Sequence, residues 1–283
     1  ILFAYLHLAP DPEQTELLIE SGAICIAGET VTDDRGGMPL LAPMSEVAGR
    51  MSVQAGAHYL EKAQGGRGIL LGGVSGVAPG KVVIIGGGVV GSHAAQVAIG
   101  MGADVTILDR SLKRLNELET EYAGRATCVE ATASSIEENA LAADLVIGAV
   151  LIPGASAPKI LTADTIKRMH TGSVVVDVAI DQGGCFETSK PTTHDNPVYI
   201  VDGVVHYCVT NMPGAVSRTS TLALNNATLP FVSEIADKGF KRALRQNSNL
   251  RNGLNISFGK VTHPAVAEAL GYQYIDPATA LEG

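Results

Sequence analysis

The chain has 283 residues, which is enough for two packed domains or one large α/β unit and excludes a small scaffold that depends on disulfides. Its 29 acidic residues outnumber 20 basic residues, and the net charge of −9 argues against electrostatic binding to nucleic acid or an anionic membrane. Hydrophobic residues make up 46% of the sequence, which excludes intrinsic disorder. Because no apolar run approaches the ~18 residues of a membrane span, we expect a soluble protein.

The cysteines and the first residues indicate the compartment. Cys25, Cys128, Cys185 and Cys208 lie far apart without a C-x-x-C pair, so they predict neither a zinc site nor a redox dithiol. Reduced, mostly buried thiols are expected of a cytoplasmic chain. The apolar opening, residues 1–8, lacks the basic flank and cleavage site of a signal peptide. We interpret it as a buried strand, which suggests that the chain begins partway into a domain.

The elements that follow this first strand predict a parallel pair. Asp11 is a suitable N-cap for a helix with Pro12 at its first position. Residues 23–27 form a second short apolar run, and the order strand, helix, strand implies a right-handed crossover. Further along, Ser45 can cap a helix that runs to about Lys62.

A regular alternation of strands and helices extends from about residue 81 to residue 209. The predicted strands are short, rich in β-branched residues and buried on both faces. They lie at residues 82–85, 105–108, 145–150 and 174–178. Helical segments at 111–122, 135–141 and 162–169 separate them. This pattern predicts a Rossmann-type, doubly wound parallel sheet, and the fold class is α/β.

The pattern changes to long helices beyond Ser217, with Pro230 expected to kink or restart a helix at 219–238. The simplest organisation is a sheet domain inserted into another domain. We assign residues 42–217 to this inserted Rossmann-type domain. Residues 1–41 and 218–283 are then two pieces of a second α/β domain, which is incomplete at its N-terminus.

A glycine motif follows the first strand of the predicted sheet. Gly86, Gly88 and Gly91 form G-x-G-x-x-G between that strand and a helical stretch, with Val90 inside the motif. Gly86 permits the tight turn, Gly88 lets the backbone approach a pyrophosphate, and Gly91 permits close contact between helix and strand. The motif predicts a dinucleotide site, and the alternative is a tight turn without a ligand.

An acidic residue at the end of the next strand indicates which dinucleotide binds. Asp109 lies 18 residues after Gly91, near the ~20 expected of the residue that binds the adenine ribose. A carboxylate there accepts hydrogen bonds from the ribose hydroxyls and repels a 2′-phosphate, which favours NAD over NADP. Arg110 and Arg114 follow closely, and a guanidinium at either position can tolerate a phosphate.

Three polar residues follow strands at the edge where ligands of open α/β sheets bind, namely His7, Asp181 and Asn211. Hydride transfer from an alcohol or amine requires a proton acceptor, and His7 suits that role. Its alternative is a hydrogen-bonded core histidine. Asp181 can orient the base, stabilise a developing cation or activate water, and its alternative is a turn residue before two glycines.

The sequence also resembles a known family, that of bacterial L-alanine dehydrogenases and transhydrogenase alpha subunits. The resemblance covers essentially the whole chain. The strings that carry it are Leu2-Phe-Ala-Tyr-Leu-His7-Leu-Ala9, Ala42-Pro-Met-Ser45-Glu-Val-Ala-Gly-Arg50, Val83-Ile-Ile-Gly86-Gly-Gly-Val-Val-Gly91, Asp177-Val-Ala-Ile-Asp-Gln-Gly-Gly184 and Asn211-Met-Pro-Gly-Ala-Val216.

The resemblance implies that residues 42–217 are an NAD-binding Rossmann domain and that residues 1–41 and 218–283 form the substrate domain. It also implies roles for individual residues. His7 and Asp181 match the catalytic histidine and aspartate of the family. The expected cofactor-binding residues are Ser45, Gly86, Gly88, Val90, Gly91, Asp109, Arg114, Leu151, Asn211 and Met212. No metal is expected.

The family reaction is reversible: L-alanine, NAD⁺ and water give pyruvate, ammonium and NADH, and members are commonly homohexamers. One alternative is the NAD(H)-binding component of a proton-translocating transhydrogenase. Another is a catalytically incomplete NAD-binding fragment. The family's N-terminal segment supplies an arginine for the substrate carboxylate and a lysine for the carbonyl or amine, and it has no counterpart here. If the chain starts at Ile1, we expect impaired turnover.

Overall fold

The computed structural model describes residues 1–150 and 157–282. The chain divides into two compact units, one formed by Ile1–Met44 with Arg218–Gly283 and the other by Ser45–Ser217. The functions that the sequence analysis assigns to these two parts of the chain stay predictions. No helix within the described residues is long and apolar enough to cross a membrane.

The strands of the described residues, in chain order, are β1 (Leu2–Ala4), β2 (Cys25–Ala27), β3 (Lys81–Ile85), β4 (Asp104–Asp109), β5 (Thr127–Glu130), β6 (Leu145–Gly148), β7 (Val174–Asp177), β8 (Val198–Val201), β9 (Val204–Tyr207), β10 (Leu254–Ser257) and β11 (Lys260–Val261). The α-helices are α1 (Pro12–Glu20), α2 (Ala42–Tyr59), α3 (Val89–Gly100), α4 (Leu112–Tyr122), α5 (Ala133–Ala142), α6 (Ala163–Arg168), α7 (Ser217–Lys238), α8 (Phe240–Gln246), α9 (Ser248–Arg251), α10 (Pro264–Leu270) and α11 (Pro277–Ala280).

The larger unit is built on a sheet whose described strands number seven, in the order β5-β4-β3-β6-β7-β9-β8. All neighbours pair in parallel except the edge strand β8, which is antiparallel to β9. The chain proceeds from β3 outwards to β5 and then returns to the other side of β3 with β6. This reversal beside β3 is the switch point at which open α/β sheets bind ligands. The predicted Rossmann-type doubly wound sheet is therefore confirmed.

Successive residues of the central strands face two different apolar layers. Val82 and Ile84 of β3 belong to one layer, and Val83 and Ile85 belong to the other; all four are buried. Helices cover both faces, as a parallel sheet requires. This double burial explains why the strands are continuous runs of Val, Ile and Leu instead of alternating apolar and polar residues.

The smaller unit contains a sheet with the strand order β1-β2-β10-β11 in the part of the chain that the structure describes. Strands β1 and β2 are parallel, which confirms the predicted pair. Strand β10 runs antiparallel to β2 and β11. The side chain of Asp11 accepts a hydrogen bond from the Gln14 amide and caps α1, as predicted.

Several element boundaries differ from the prediction. The first strand spans only Leu2–Ala4 and is not buried as predicted: Leu2 and Ala4 are exposed and Phe3 is half-buried, because β1 is an edge strand among the described residues. Helix α2 begins at Ala42 rather than at Ser45, with Pro43 in its first turn, where a missing N–H costs no intrahelical hydrogen bond. Helix α7 continues through Pro230, so the expected restart is wrong, and the expected kink stays a prediction. Only Ser220 of α7 is buried, so the carbonyl that Pro230 leaves without a donor can be solvated.

The cysteines agree with the expectation of reduced thiols. All four are free; Cys25, Cys185 and Cys208 are buried and Cys128 is half-buried.

Candidate functional site

The glycine turn after β3 is shaped by close backbone contacts. Gly86 has φ of +105° and donates its amide hydrogen to the Leu108 carbonyl at 2.7 Å. A Cβ on Gly86 would lie 2.5 Å from the Ala149 carbonyl oxygen, and a Cβ on Gly91 would lie 1.8 Å from the Gly86 carbonyl oxygen. The packing of the protein itself therefore requires glycine at both positions.

Gly88 is different, because the described atoms leave open space around it. It has φ of −69° and is the N-cap of α3, and a Cβ on it would meet no described atom within 4 Å. No contact among the described residues explains a glycine there. The first amides of α3, including that of Val90, are at the positive end of the helix dipole, where phosphate groups bind. This arrangement fits a pyrophosphate that approaches the backbone at Gly88.

We predict that one alanine substitution in this turn lowers NADH affinity and that another lowers stability. Gly88→Ala should leave the melting temperature within about 2 °C of wild type and weaken NADH binding about 10-fold, or ~1.4 kcal/mol, because the methyl group enters the phosphate space. Gly91→Ala should lower the free energy of unfolding by about 2 kcal/mol or more, because its methyl group overlaps the Gly86 carbonyl. Thermal unfolding and calorimetric titration measure both effects. Unchanged NADH affinity in Gly88→Ala would contradict the proposed phosphate position.

The peptide groups of Gly87 are fixed by two side chains from the next βα unit. Asp109 Oδ2 accepts a hydrogen bond from the Gly87 amide at 2.7 Å, and Arg114 Nε donates to the Gly87 carbonyl at 2.7 Å. The Arg114 guanidinium also donates to Ser92 Oγ at 2.8 Å and Glu117 Oε2 at 3.0 Å. Arg114 is thus already engaged with the turn. Sequence reasoning identified Asp109 and Arg114 but missed Gly87 and Ser92.

Helix α2 approaches the start of α3 closely enough to require a further glycine. A Cβ on Gly49 would lie 2.2 Å from the Val90 carbonyl oxygen. Ser45 lies four residues before Gly49 and therefore on the same face of α2. The predicted cofactor residue Ser45 thus lies on the helix face that is directed towards the start of α3. Gly49 was not identified from the sequence, and Leu151 lies outside the described residues.

His7 lies in the loop after β1 and is exposed. Its backbone is left-handed, with φ of +48°, which is unusual for a residue other than glycine. Glu29 Oε1 accepts hydrogen bonds from the amides of Leu6 at 3.0 Å and His7 at 2.7 Å. Glu29 belongs to the 3-10 helix Gly28–Thr30, which follows β2. A carboxylate at the end of one parallel strand thus fixes the backbone of His7, which follows the neighbouring strand.

Two further titratable groups lie near Glu29. Burial, with a smaller contribution from the Glu29 charge, raises the pKa of Tyr5 to about 12, and its hydroxyl donates to the Leu40 carbonyl. Burial lowers the pKa of His263 below its usual value, and the Glu29 charge opposes this shift only in part. His263 Nδ1 is buried and has no hydrogen-bond partner among the described residues. Tyr5 and His263 are therefore uncharged near neutral pH.

Asp181 lies in a 3-10 helix and not directly after a strand. Strand β7 ends at Asp177, and the 3-10 helix Val178–Gln182 follows it. The Asp177 side chain caps this helix by accepting a hydrogen bond from the Ala179 amide at 3.0 Å. Asp181 is exposed, and its Oδ1 accepts a hydrogen bond from the Asn211 amide at 3.2 Å. The structure therefore brings together Asp181 and Asn211, two of the residues that the sequence singled out.

The residue after Asn211 is part of a short helix. Asn211 is left-handed, with φ of +54°, and precedes the 3-10 helix Met212–Val216. Met212 is 2% exposed and packs in the apolar layer beside β7 and β9. Met212 is therefore largely a core residue, whereas Asn211 is exposed beside Asp181.

A fully buried carboxylate closes the loop that carries Asp181. Asp177 Oδ2 accepts hydrogen bonds from the amides of Cys185 at 2.8 Å and Phe186 at 3.3 Å and from Ser189 Oγ. Cys185 Sγ also donates to Asp177 Oδ1 at 3.3 Å, and burial, reinforced by the Asp177 charge, raises the pKa of this thiol well above its usual value. Asp177 therefore ties the beginning of the loop to its end. Sequence reasoning treated Asp177 only as part of a strand.

Removal of the Asp177 carboxylate should destabilise the protein strongly. We expect Asp177→Ala to lower the free energy of unfolding by about 3 kcal/mol or more, because it leaves several buried donors without an acceptor. Chemical denaturation measures the change, and Asp195→Ala, at an exposed acidic residue, is the matched control. Equal stability of both variants would show that the buried hydrogen bonds of Asp177 contribute little.

Comparison with known proteins identifies the family. The family model "Alanine dehydrogenase/PNT, C-terminal domain" matches residues 52–264, and "Alanine dehydrogenase/PNT, N-terminal domain" matches residues 1–48. The chain belongs to the alanine dehydrogenase/PNT family. It is 62% identical to the alanine dehydrogenase of Halomonas elongata over 280 residues, which cover 99% of this chain and 76% of that protein. It is 56% identical to alanine dehydrogenase 2 of Staphylococcus aureus strain USA300 over 283 residues, which cover 100% of this chain and 76% of that protein.

Solved structures agree with this family assignment. An L-alanine dehydrogenase superimposes with a TM-score of 0.91 at 53% identity, with 95% of this chain and 74% of that chain covered. A transhydrogenase from Sinorhizobium meliloti superimposes with a TM-score of 0.76 at 23% identity, with 93% of this chain and 73% of that chain covered. The second likeness shows a shared fold only.

Proposed function

We propose that this member of the family is an NAD-dependent alanine dehydrogenase, an oxidoreductase that reversibly converts L-alanine, NAD⁺ and water into pyruvate, ammonium and NADH. One observation carries the proposal: proteins named alanine dehydrogenase match this chain from end to end at 56–62% identity. The transhydrogenase alternative has no comparable support, because its solved relative shares only 23% identity.

The residues of the glycine turn fit a dinucleotide. The open space at Gly88 would admit the pyrophosphate, and the amides at the start of α3 would bind its oxygens. Asp109 would accept hydrogen bonds from the adenine ribose hydroxyls, and its charge disfavours the 2′-phosphate of NADP. Arg114 is bonded to Gly87, Ser92 and Glu117, which reduces its availability for such a phosphate.

The resemblance implies that further residues would contact the nucleotide, namely Ser45, Val90, Leu151, Asn211 and Met212. Bound NAD⁺ supplies the acceptor for the hydride that leaves Cα of alanine, because no side chain can accept a hydride. The described residues contain no cluster of His, Cys, Asp and Glu suited to a metal ion.

His7 would transfer protons in the reaction, and Asp181 would stabilise the positive charge. Loss of hydride from alanine leaves a cationic iminium, which water attacks before ammonia departs. Asp181 would stabilise that cation and orient the water, and the His7 imidazole would carry protons to and from the heteroatoms. The left-handed backbone of His7, fixed by Glu29, is consistent with a side chain held for a specific task.

We expect His7→Ala in the full-length protein to retain NADH affinity and to lower kcat about 100-fold or more, because it removes the proton acceptor. His170→Ala, at another exposed histidine, is the control and should retain wild-type kcat. NADH absorbance in the presence of alanine, or of pyruvate and ammonium, measures turnover. If His7→Ala turned over as fast as the control, His7 would have no part in the mechanism.

The same assay tests the function itself. Wild-type protein should reduce NAD⁺ only when L-alanine is added. Hydride exchange between nucleotides without any dependence on alanine would instead support a transhydrogenase component. NADH binding without alanine-dependent turnover would support a catalytically incomplete NAD-binding protein. The homohexamer that the resemblance implies is part of the proposal, and light scattering of the full-length protein tests it.

A further inference from the structure

The loop that carries Asp181 is contacted by a lysine from the segment before α6. Lys159 Nζ donates to the carbonyl oxygens of Gly183 at 2.7 Å and Gly184 at 2.8 Å. Lys159 itself is exposed. Both hydrogen bonds have a charged donor, which makes them stronger than those between neutral groups.

Backbone hydrogen bonds align the two segments on either side of this contact. The Ala157 amide donates to the Gln182 carbonyl at 3.0 Å, and the Ile160 amide donates to the Cys185 carbonyl at 2.8 Å. The Lys159 ammonium therefore bonds to the two carbonyls that lie between these backbone hydrogen bonds.

The carbonyls that Lys159 contacts belong to two successive glycines. Gly183 has φ of +89° and Gly184 has φ of +75°, so two successive residues are left-handed. Glycine has the largest conformational freedom of all residues and pays the largest entropic cost when it is ordered. Asp177 fixes the loop from its buried side by accepting from the amides of residues 179, 185 and 186, and the Cys185 amide shares its peptide group with the Gly184 carbonyl. The amides of Gly183 and Gly184 donate to the carbonyls of Ile180 at 3.0 Å and Ala179 at 3.1 Å. Lys159 fixes the glycine carbonyls themselves.

We propose that Lys159 is a positioning residue that holds the glycine pair and thereby keeps the Asp181 carboxylate in place for the reaction. The inference rests on the proposed function, because it takes Asp181 as the catalytic carboxylate. A displacement of about 1 Å in a catalytic group can reduce turnover 100-fold, so a surface ammonium that holds the loop can affect kcat without touching the substrate.

Three lysine variants of the full-length protein test this role. Lys159→Met keeps the aliphatic stem and removes the ammonium, Lys159→Arg restores charged donors, and Lys167→Met removes an exposed charge on α6 as the control. We expect Lys159→Met to lower kcat about 10-fold, while NADH affinity stays within about 3-fold of wild type and the melting temperature within about 2 °C. Lys159→Arg should recover most of kcat, and Lys167→Met should match wild type.

Hydrogen exchange provides a readout that does not depend on turnover. The amides of residues 183–185 should exchange faster in Lys159→Met than in wild type, while the amides of β3 and β6 stay unchanged. The proposal is overturned if Lys159→Met keeps wild-type kcat, or if kcat, NADH affinity and melting temperature fall together without recovery in Lys159→Arg.

The two hypotheses can fail separately. If wild-type protein shows no alanine-dependent turnover, the proposed function fails, and hydrogen exchange alone decides whether Lys159 holds the loop. Unchanged exchange at residues 183–185 in Lys159→Met would then refute the inference. If wild type is active and Asp181→Asn loses activity while Lys159→Met does not, the function stands and the positioning role falls.

Discussion

The close approach of α3 to the end of β3 is the constraint on which the candidate cofactor site depends. The Gly91 backbone lies so near the Gly86 carbonyl that no side chain fits between them, and this contact fixes where the helix begins. The positive end of α3 is thereby directed to the switch point of the sheet, beside the carboxyl ends of β3 and β6. The open space beside Gly88, where we propose that a pyrophosphate binds, follows from that placement.

Carboxylates at or shortly after strand ends accept backbone amides in three of the segments that carry candidate residues. Asp109 accepts the Gly87 amide in the glycine turn, Glu29 accepts the amides of Leu6 and His7, and Asp177 accepts amides from both ends of the Asp181 loop. A carboxylate has several acceptor sites and forms strong hydrogen bonds with backbone N–H groups. These hydrogen bonds fix the backbone of the segments that carry Gly87, His7 and Asp181.

The parts of the fold that local pattern determines were predictable from the sequence. Strands buried on both faces must be apolar throughout, and the glycine turn needs small residues at fixed spacing, so β3, β4, β6 and β7 and the motif between Gly86 and Gly91 were found. Strand β10 was not predicted, because its apolar residues, Leu254 and Ile256, alternate with polar ones over only four positions. The restart expected at Pro230 does not occur, because α7 is mostly exposed and water can solvate the carbonyl left without a donor, which local rules cannot show.

The residues that fix the candidate loops by side-chain hydrogen bonds, Glu29, Lys159 and Asp177, were not predicted for a different reason. Glu29 contacts His7 from 22 positions away, and Lys159 contacts the glycine pair from 24 and 25 positions away. Such contacts depend on which strands become neighbours, and the sequence around each residue does not show which strands those are. Asp177 was read as part of a strand because it directly follows three valines, and its buried hydrogen bonds appear only when the loop is folded.

The most direct test of this account is a calorimetric titration of the wild-type protein with NADH and, separately, with NADPH. A helix terminus that binds pyrophosphate, next to a carboxylate that binds ribose hydroxyls, should bind NADH at least about 10-fold more tightly than NADPH, a difference of ~1.4 kcal/mol. Equal affinity for the two nucleotides, or no binding of NADH, would contradict the roles assigned to Asp109 and the glycine turn.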